Sequence, residues 1–287
     1  MKQYLELLKK ILDEGTWTDN RTGVRCKGLW GETMRFDLSA GFPLVTTKKI
    51  PIKSMVTELL FFIKGYTDVR WLQERGCRIW NEWATKEQCE KRGLQEFDLG
   101  PVYGWQWRHF GAKYTGMKGD KPECVNYDGQ GVDQLMWVQD QLRNNPNNRQ
   151  VILSAWNPVD FPKQALPPCH VLCHFRVING KLNTLLLQRS CDSFLGVPWN
   201  ISGYALLTHL MAQTCNLQVG TFVHVLDDVH IYENHVEQVK EQLSREPRQL
   251  PNLKLNTEVK NIQDFTESDI EVIGYHPYAT IKAQVAV

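Results

Sequence analysis

Asn179-Gly180 stands between two long runs, 170–178 (HVLCHFRVI) and 181–189 (KLNTLLLQR). A two-residue Asn-Gly link tolerates the positive φ that a tight β-turn demands, so this stretch predicts an antiparallel hairpin. Helices follow from spacing. Tyr4, Leu5, Leu8, Ile11 and Leu12 share one face and predict a helix over Lys2–Glu14 capped by Gly15. The mostly apolar stretch 55–63 predicts a second helix, closed by Gly65. Val132, Leu135, Met136, Gln139 and Leu142 predict a third, ended by Pro146. An amphipathic helix is expected over 200–217, and Val236, Val239 and Leu243 mark another. Segments 42–47 (FPLVTT) and 151–156 read as short strands, and 20–23 (NRTG) as a turn. The polar segments 85–97 and 116–130 read as surface insertions, too short to divide the chain. No repeat or linker interrupts it. The expectation is an α+β fold, a single domain over 1–287 with a mixed sheet packed by helices.

Composition narrows the function classes. The 287 residues are 42% hydrophobic and 23% charged, which excludes a disordered or fibrous chain. A formal net charge of +1 provides no global field toward nucleic acid or a membrane. The longest strongly apolar run, 59–63, is far too short to span a bilayer. The N-terminal stretch MKQYLELLKKILDEG carries charges every few residues and does not read as a secretory signal. The eight cysteines are then expected as thiols in a reducing cytoplasm.

Several residues could carry chemistry, each with a plainer alternative. Glu58 lies among Val56, Leu59, Leu60, Phe61 and Phe62. Facing the core, its carboxylate would be desolvated and suited to proton transfer; facing out, it is a surface glutamate. Pro167-Pro168-Cys169-His170 sets a thiol beside an imidazole. A cationic neighbour would favour the nucleophilic thiolate, whereas most free cysteines are structural. Cys169, His170, Cys173 and His174 match no standard zinc spacing, and strand alternation would split them between faces. No metal is expected.

Gln188-Arg189-Ser190-Cys191-Asp192 gathers donors that suit a phosphate, or form a loop ion pair; Arg21 beside Thr22 and Gly23 carries the same ambiguity. Asp228, His230, Tyr232, Asn234 and His235 could hold a ligand or form an exposed entry to a helix. Trp80, Trp83, Trp105, Trp107 and Trp199 could stack on a planar ligand or fill the core.

Taken together and in order, the motifs NRTG (20–23), FPLVTTKK (42–49), ELLFFIKG (58–65), IWNEWA (79–84) and DLGPVYGWQWRHFGA (98–112) are specific. So are SAWNP (154–158), ALPPCH (165–170), QRSCD (188–192), LGVPWN (195–200), DVHIYENH (228–235) and LSREPR (243–248). The chain resembles the thymidylate synthase family along its whole length. The resemblance implies that family's α+β fold and a homodimer, with dUMP as substrate and 5,10-methylenetetrahydrofolate as co-substrate, and no metal. Cys169 would attack C6 of dUMP, C5 would take the folate methylene, and hydride return would give dTMP and dihydrofolate.

By the same resemblance, Glu58 and Tyr103 handle protons, and Arg189 lies by the nucleophile; His170 and Asp192 join the catalytic group. Arg21, Arg189 and Ser190 bind phosphate, Arg149 reaches it from the partner subunit, and Gln188 and Asp192 lie beside the nucleotide. His230 and Tyr232 hold the 3′-hydroxyl, and Asn200 pairs with uracil N3–H and O4. Lys48, Ile79, Trp80, Trp83, Asp192, Leu195, Gly196 and Trp199 contact the folate, and the carboxylate of Val287 locks the closed complex. The chain departs from the family pattern at several places. Gln150 replaces a second arginine after Arg149, and Arg25 replaces a small residue near Arg21. Asp227 stands for glycine, Trp199 for phenylalanine, and Gln284 for a small residue or proline. These departures leave two alternatives: a deoxyuridylate hydroxymethylase ending in water attack, and a nucleotide-binding homologue without turnover.

Overall fold

The computed structural model describes residues 1–117, 121–123, 127 and 129–285; Cys124 and Val287 lie outside them. The chain opens with α1 (Lys2–Glu14), β1 (Thr16–Thr18) and β2 (Cys26–Asp37). Next come α2 (Ile52–Ile63), α3 (Arg70–Glu74), α4 (Lys86–Glu90), α5 (Tyr103–His109) and α6 (Gln134–Asn144). Then β3 (Ile152–Ser154), β4 (His170–Ile178) and β5 (Lys181–Asp192) lead into α7 (Gly196–Thr214) and β6 (Gln218–Tyr232). The described chain closes with α8 (Val236–Leu243), β7 (Asn252–Leu255) and β8 (Ile270–Ile273).

Six strands form one sheet in the order β1-β2-β6-β5-β4-β3, and β7 pairs with β8 apart from it. Every pair in the large sheet is antiparallel except β5–β6, which α7 joins by a crossover. That one parallel pair makes the sheet mixed, as expected of this α+β fold. At the β4–β5 turn Asn179 has φ 50° and Gly180 φ 71°, so both turn residues take the left-handed conformation the Asn-Gly pair favours.

Helix α7 packs against α2, β5 and β6. Fourteen of its residues are buried, on all sides, rather than along the single stripe expected from the sequence. The segment 42–47 is not a strand. Its six consecutive side chains are all buried, and its backbone bonds go to loops: Phe42 N–H to Pro251 O, and Thr46 O to Tyr278 N–H. The insertion 85–97 is not merely surface either, since Cys89 and Leu94 are buried with Trp105, Tyr114 and Tyr127 in a satellite core. Strands β2 and β6, 12 and 15 residues long, went unread in the sequence. Among the described residues no helix is long and apolar enough to cross a membrane.

Candidate functional site

Strand register gathers one end of the sheet into a site. His170 pairs with Gln188, Ser190 with Asp228, and Asp192 with His230. On the next strand Gly28 pairs with His230 and Cys26 with Tyr232. Residues 18 to 206 positions apart thereby become neighbours, which no local pattern announces.

Cys169 enters β4 behind its two prolines and is partly exposed. Its backbone N–H donates to the Tyr103 hydroxyl at 2.8 Å, and its carbonyl accepts from Arg189 N–H at 2.9 Å. The Arg189 guanidinium is held by Pro168 O (2.9 Å) and Pro167 O (2.8 Å), with Nη2 at 4.0 Å from Cys169 Sγ. It also lies over the Trp156 ring, 5.4 Å from its centroid. Burial raises the Cys169 thiol above its ordinary value, while Arg189 and then Arg21 pull it back. The cation beside the thiol is therefore arginine. The His170 ring lies between Tyr103 (5.0 Å) and Tyr204 (5.2 Å), and burial lowers it to about 4, leaving the imidazole neutral at pH 7.

Glu58 projects from α2 to the same place. Trp80 Nε1 donates to Oε1 at 2.7 Å and Trp199 Nε1 to Oε2 at 2.6 Å. Burial raises the carboxyl from its ordinary value to about 7, opposed by Trp199 and then Trp80. Tyr103 packs on Phe62 of the same helix, 4.9 Å between centroids, so α2 and α5 set the glutamate and tyrosine on one wall.

Behind this wall runs an amide relay. Gln188 Nε2 donates to Ser190 O and to Asn200 Oδ1, both at 3.0 Å, and Gln188 Oε1 meets His224 Nε2 at 2.8 Å. The Ser190 carbonyl can only accept, which fixes the Gln188 amide and turns the Asn200 oxygen toward it. Gln188 is 2% exposed, so it faces Asn200 and His224 rather than open space. His224 escaped the sequence reading; its signal, a histidine in an alternating strand, was hidden because β6 itself was unread.

His230 Nδ1 lies 3.2 Å from Asp228 O, and its ring stands edge-on to Tyr232 at 5.0 Å. Arg21 sits in an exposed turn whose Asn20 carboxamide accepts from Thr22 N–H at 2.9 Å. Asp192 Oδ1 accepts from the backbone of Phe194 (2.9 Å) and Leu195 (3.1 Å), shaping the loop that leads into Gly196. Trp83 meets Trp80 edge-on at 5.7 Å, and Ile79 is exposed.

Two of the expected residues, Lys48 and Arg149, stand apart from this cluster. Lys48 is buried, donates to Phe194 O, and sits 3.5 Å over the Phe194 ring; burial lowers it to about 7. Arg149 is exposed, and its carbonyl meets His174, four residues along β4 from His170 or about 13 Å of strand. Val287 falls outside the described residues. Of the departures, Arg25 lies over Trp17 at 5.4 Å and pairs with Asp19 at 3.6 Å, while Gln150 is exposed. Among the described residues no cluster of three His, Cys, Asp or Glu side chains is arranged to hold a metal ion.

A family model described as thymidylate synthase matches residues 2–287. A bifunctional dihydrofolate reductase-thymidylate synthase of Paramecium tetraurelia is 49% identical over 288 residues, covering 99% of this chain and 61% of that protein. One of Zea mays is 47% identical over 288 residues, covering 99% of this chain and 54% of that protein. The chain thus spans between a half and two thirds of the length of these relatives.

Proposed function

The chain belongs to the thymidylate synthase family, and from that premise we propose that it methylates dUMP at C5, with 5,10-methylenetetrahydrofolate as co-substrate. The observation that carries this reading is the convergence of a thiol, a clamped guanidinium and a desolvated carboxyl. Attack by Cys169 Sγ on C6 makes C5 nucleophilic, because the electron pair moves onto the ring as an enolate. C5 attacks the folate methylene, and loss of the C5 proton then breaks the bond to the folate nitrogen, releasing tetrahydrofolate and leaving an exocyclic methylene on the ring. Hydride from the tetrahydrofolate adds to that methylene as the Sγ–C6 bond breaks, giving dTMP and dihydrofolate.

The residues divide the work by their positions. Arg189 favours the thiolate of Cys169 and offers its charge to the phosphate with Arg21 and Ser190. Tyr103, with ordered water, takes the C5 proton, and Glu58 exchanges protons near the pyrimidine carbonyl. A carboxyl near 7 populates both protonation states at neutral pH, which suits that exchange. Asn200 accepts from N3–H and donates to O4, an amide polarity that the Gln188 relay already sets. His230 and Tyr232 take the 3′-hydroxyl. Ile79, Trp80, Trp83, Leu195, Gly196 and Trp199 face the folate, with Asp192 at the pterin. Lys48 supports this loop through Phe194, and Val287 closes over the site to exclude water.

We also propose a homodimer. On the outer face of the sheet Leu185 pairs with Val223 and Leu187 with Val225, and all four are only half-buried. A partner seated there would bring its Arg149 to the phosphate. Seven free thiols among the described residues fit a reducing cytoplasm.

Incubation with dUMP and 5,10-methylenetetrahydrofolate, with both products identified by mass spectrometry, tests the reading. dTMP with dihydrofolate is expected. 5-Hydroxymethyl-dUMP with tetrahydrofolate would replace methylation with hydroxymethylation, and no product would leave a binding protein.

A further inference from the structure

We propose that Trp199 is a positioning residue for Glu58: its indole N–H holds the second carboxylate oxygen and sets the pH at which Glu58 exchanges its proton. This rests on the proton-handling role given to Glu58 above. Phenylalanine, usual here in the family pattern, has no N–H to offer.

The geometry involves three parts of the chain. Glu58 comes from α2, Trp80 precedes the short helical turn Asn81–Trp83, and Trp199 stands in the first turn of α7. Their two N–H groups approach different oxygens, at 2.7 and 2.6 Å, so the carboxylate is gripped from both sides and cannot rotate without losing both bonds. An indole N–H donates and never accepts. Both bonds therefore favour the ionised carboxylate over the acid.

The other titratable groups facing Glu58 supply no positive charge. They are Cys77 from the segment before Trp80, Tyr103 from α5 and Tyr204 from α7. Burial pushes each of them upward, Cys77 to about 11 and both tyrosines well above their ordinary value, so all three are neutral at pH 7. Against desolvation the ionised form is supported by the two indoles. Removing one donor should raise the Glu58 midpoint by about one pH unit, the size of one charge-assisted hydrogen bond.

The test follows the carboxyl directly. Protein labelled with [δ-13C]glutamate is titrated by NMR, with the Glu58 signal identified by its loss in Glu58→Gln. In Trp199→Phe the midpoint is expected to rise by about one unit, and the acidic limb of the kcat profile to rise with it. Should Trp199→Phe fail to fold, replacing Trp199 with its benzothiophene analogue keeps the shape and removes only the N–H. An unchanged Glu58 midpoint in either folded protein overturns the proposal. A changed KM for folate with an unmoved midpoint also overturns it, because Trp199 would then act by packing on the folate alone. A shifted midpoint in a protein that makes no dTMP upholds the positioning and removes the methylation reading instead.

Discussion

At Glu58 burial and hydrogen bonding oppose each other, and burial wins, since the carboxyl stays near 7 despite two indole donors. A carboxyl raised in the folded state binds its proton more tightly there than in the unfolded chain. Stability then falls as pH rises from the unfolded value of about 4.5 to about 7, and is flat beyond. Glu58→Gln removes this loss. Chemical denaturation at pH 5 and pH 7.5 should show a smaller drop for the variant than for the parent, by up to about 3 kcal/mol. At Cys169 the expected separation is between chemistry and binding. Cys169→Ser should abolish turnover and leave dUMP binding by calorimetry nearly unchanged, because the phosphate and uracil ligands remain. Retained turnover would remove Cys169 from the nucleophile's place. Asn200→Asp should lower the dUMP/dCMP ratio of kcat/KM, because a protonated carboxyl can present the reversed donor pattern to cytosine. An unchanged ratio would mean that Asn200 does not read the base. The sequence pointed to Cys169, Glu58 and Asn200 as candidates, but the two indole bonds and the Gln188 relay were not legible. Their partners lie 12 to 141 positions apart, and only packing brings them within hydrogen-bond reach.

Among the elements, two glycines separate backbone strain from steric conflict. Gly180 has φ +71° with nothing within 4 Å of where a Cβ would sit. Gly180→Ala should therefore cost only the left-handed strain, about 1–2 kcal/mol in a denaturant titration. Gly100 has the same φ of +71°, but a Cβ there would lie 1.9 Å from Lys163 O. Gly100→Ala should cost clearly more and, by shifting the approach to α5, displace Tyr103 and lower turnover. Equal costs would show that the Lys163 segment yields freely. The hairpin turn was legible because its geometry is a property of two adjacent residues. The 42–47 segment was misread because an apolar run satisfies a strand pattern, while its backbone partners come from positions beyond 245.

For the molecule as a whole, the half-buried Leu185, Leu187, Val223 and Val225 lie on one continuous face. Sedimentation should show a dimer, and Val223→Asp should yield a monomer with weakened dUMP binding because Arg149 of the partner is lost. Mixing Arg149→Ala with Cys169→Ser, each inactive alone, should restore partial activity through sites assembled from one intact thiol and one intact arginine. Failure of the mixed dimer to gain activity would place Arg149 outside the shared site.

By itself the sequence determined what short-range chemistry controls: the helix at Lys2–Glu14, the Asn-Gly hairpin, the Cys169 motif, and the family to which the ordered motifs pointed. Tertiary structure alone decided the pairing of β5 with β6 in parallel and the burial of α7 on every side. It also decided that burial keeps the His170 imidazole neutral, leaving the arginine implied by the family resemblance as the cation beside the thiol. The reason is physical. Periodicity reports which side of an element avoids water, but desolvation and hydrogen bonding depend on neighbours from distant segments, and those neighbours exist only once the chain has packed.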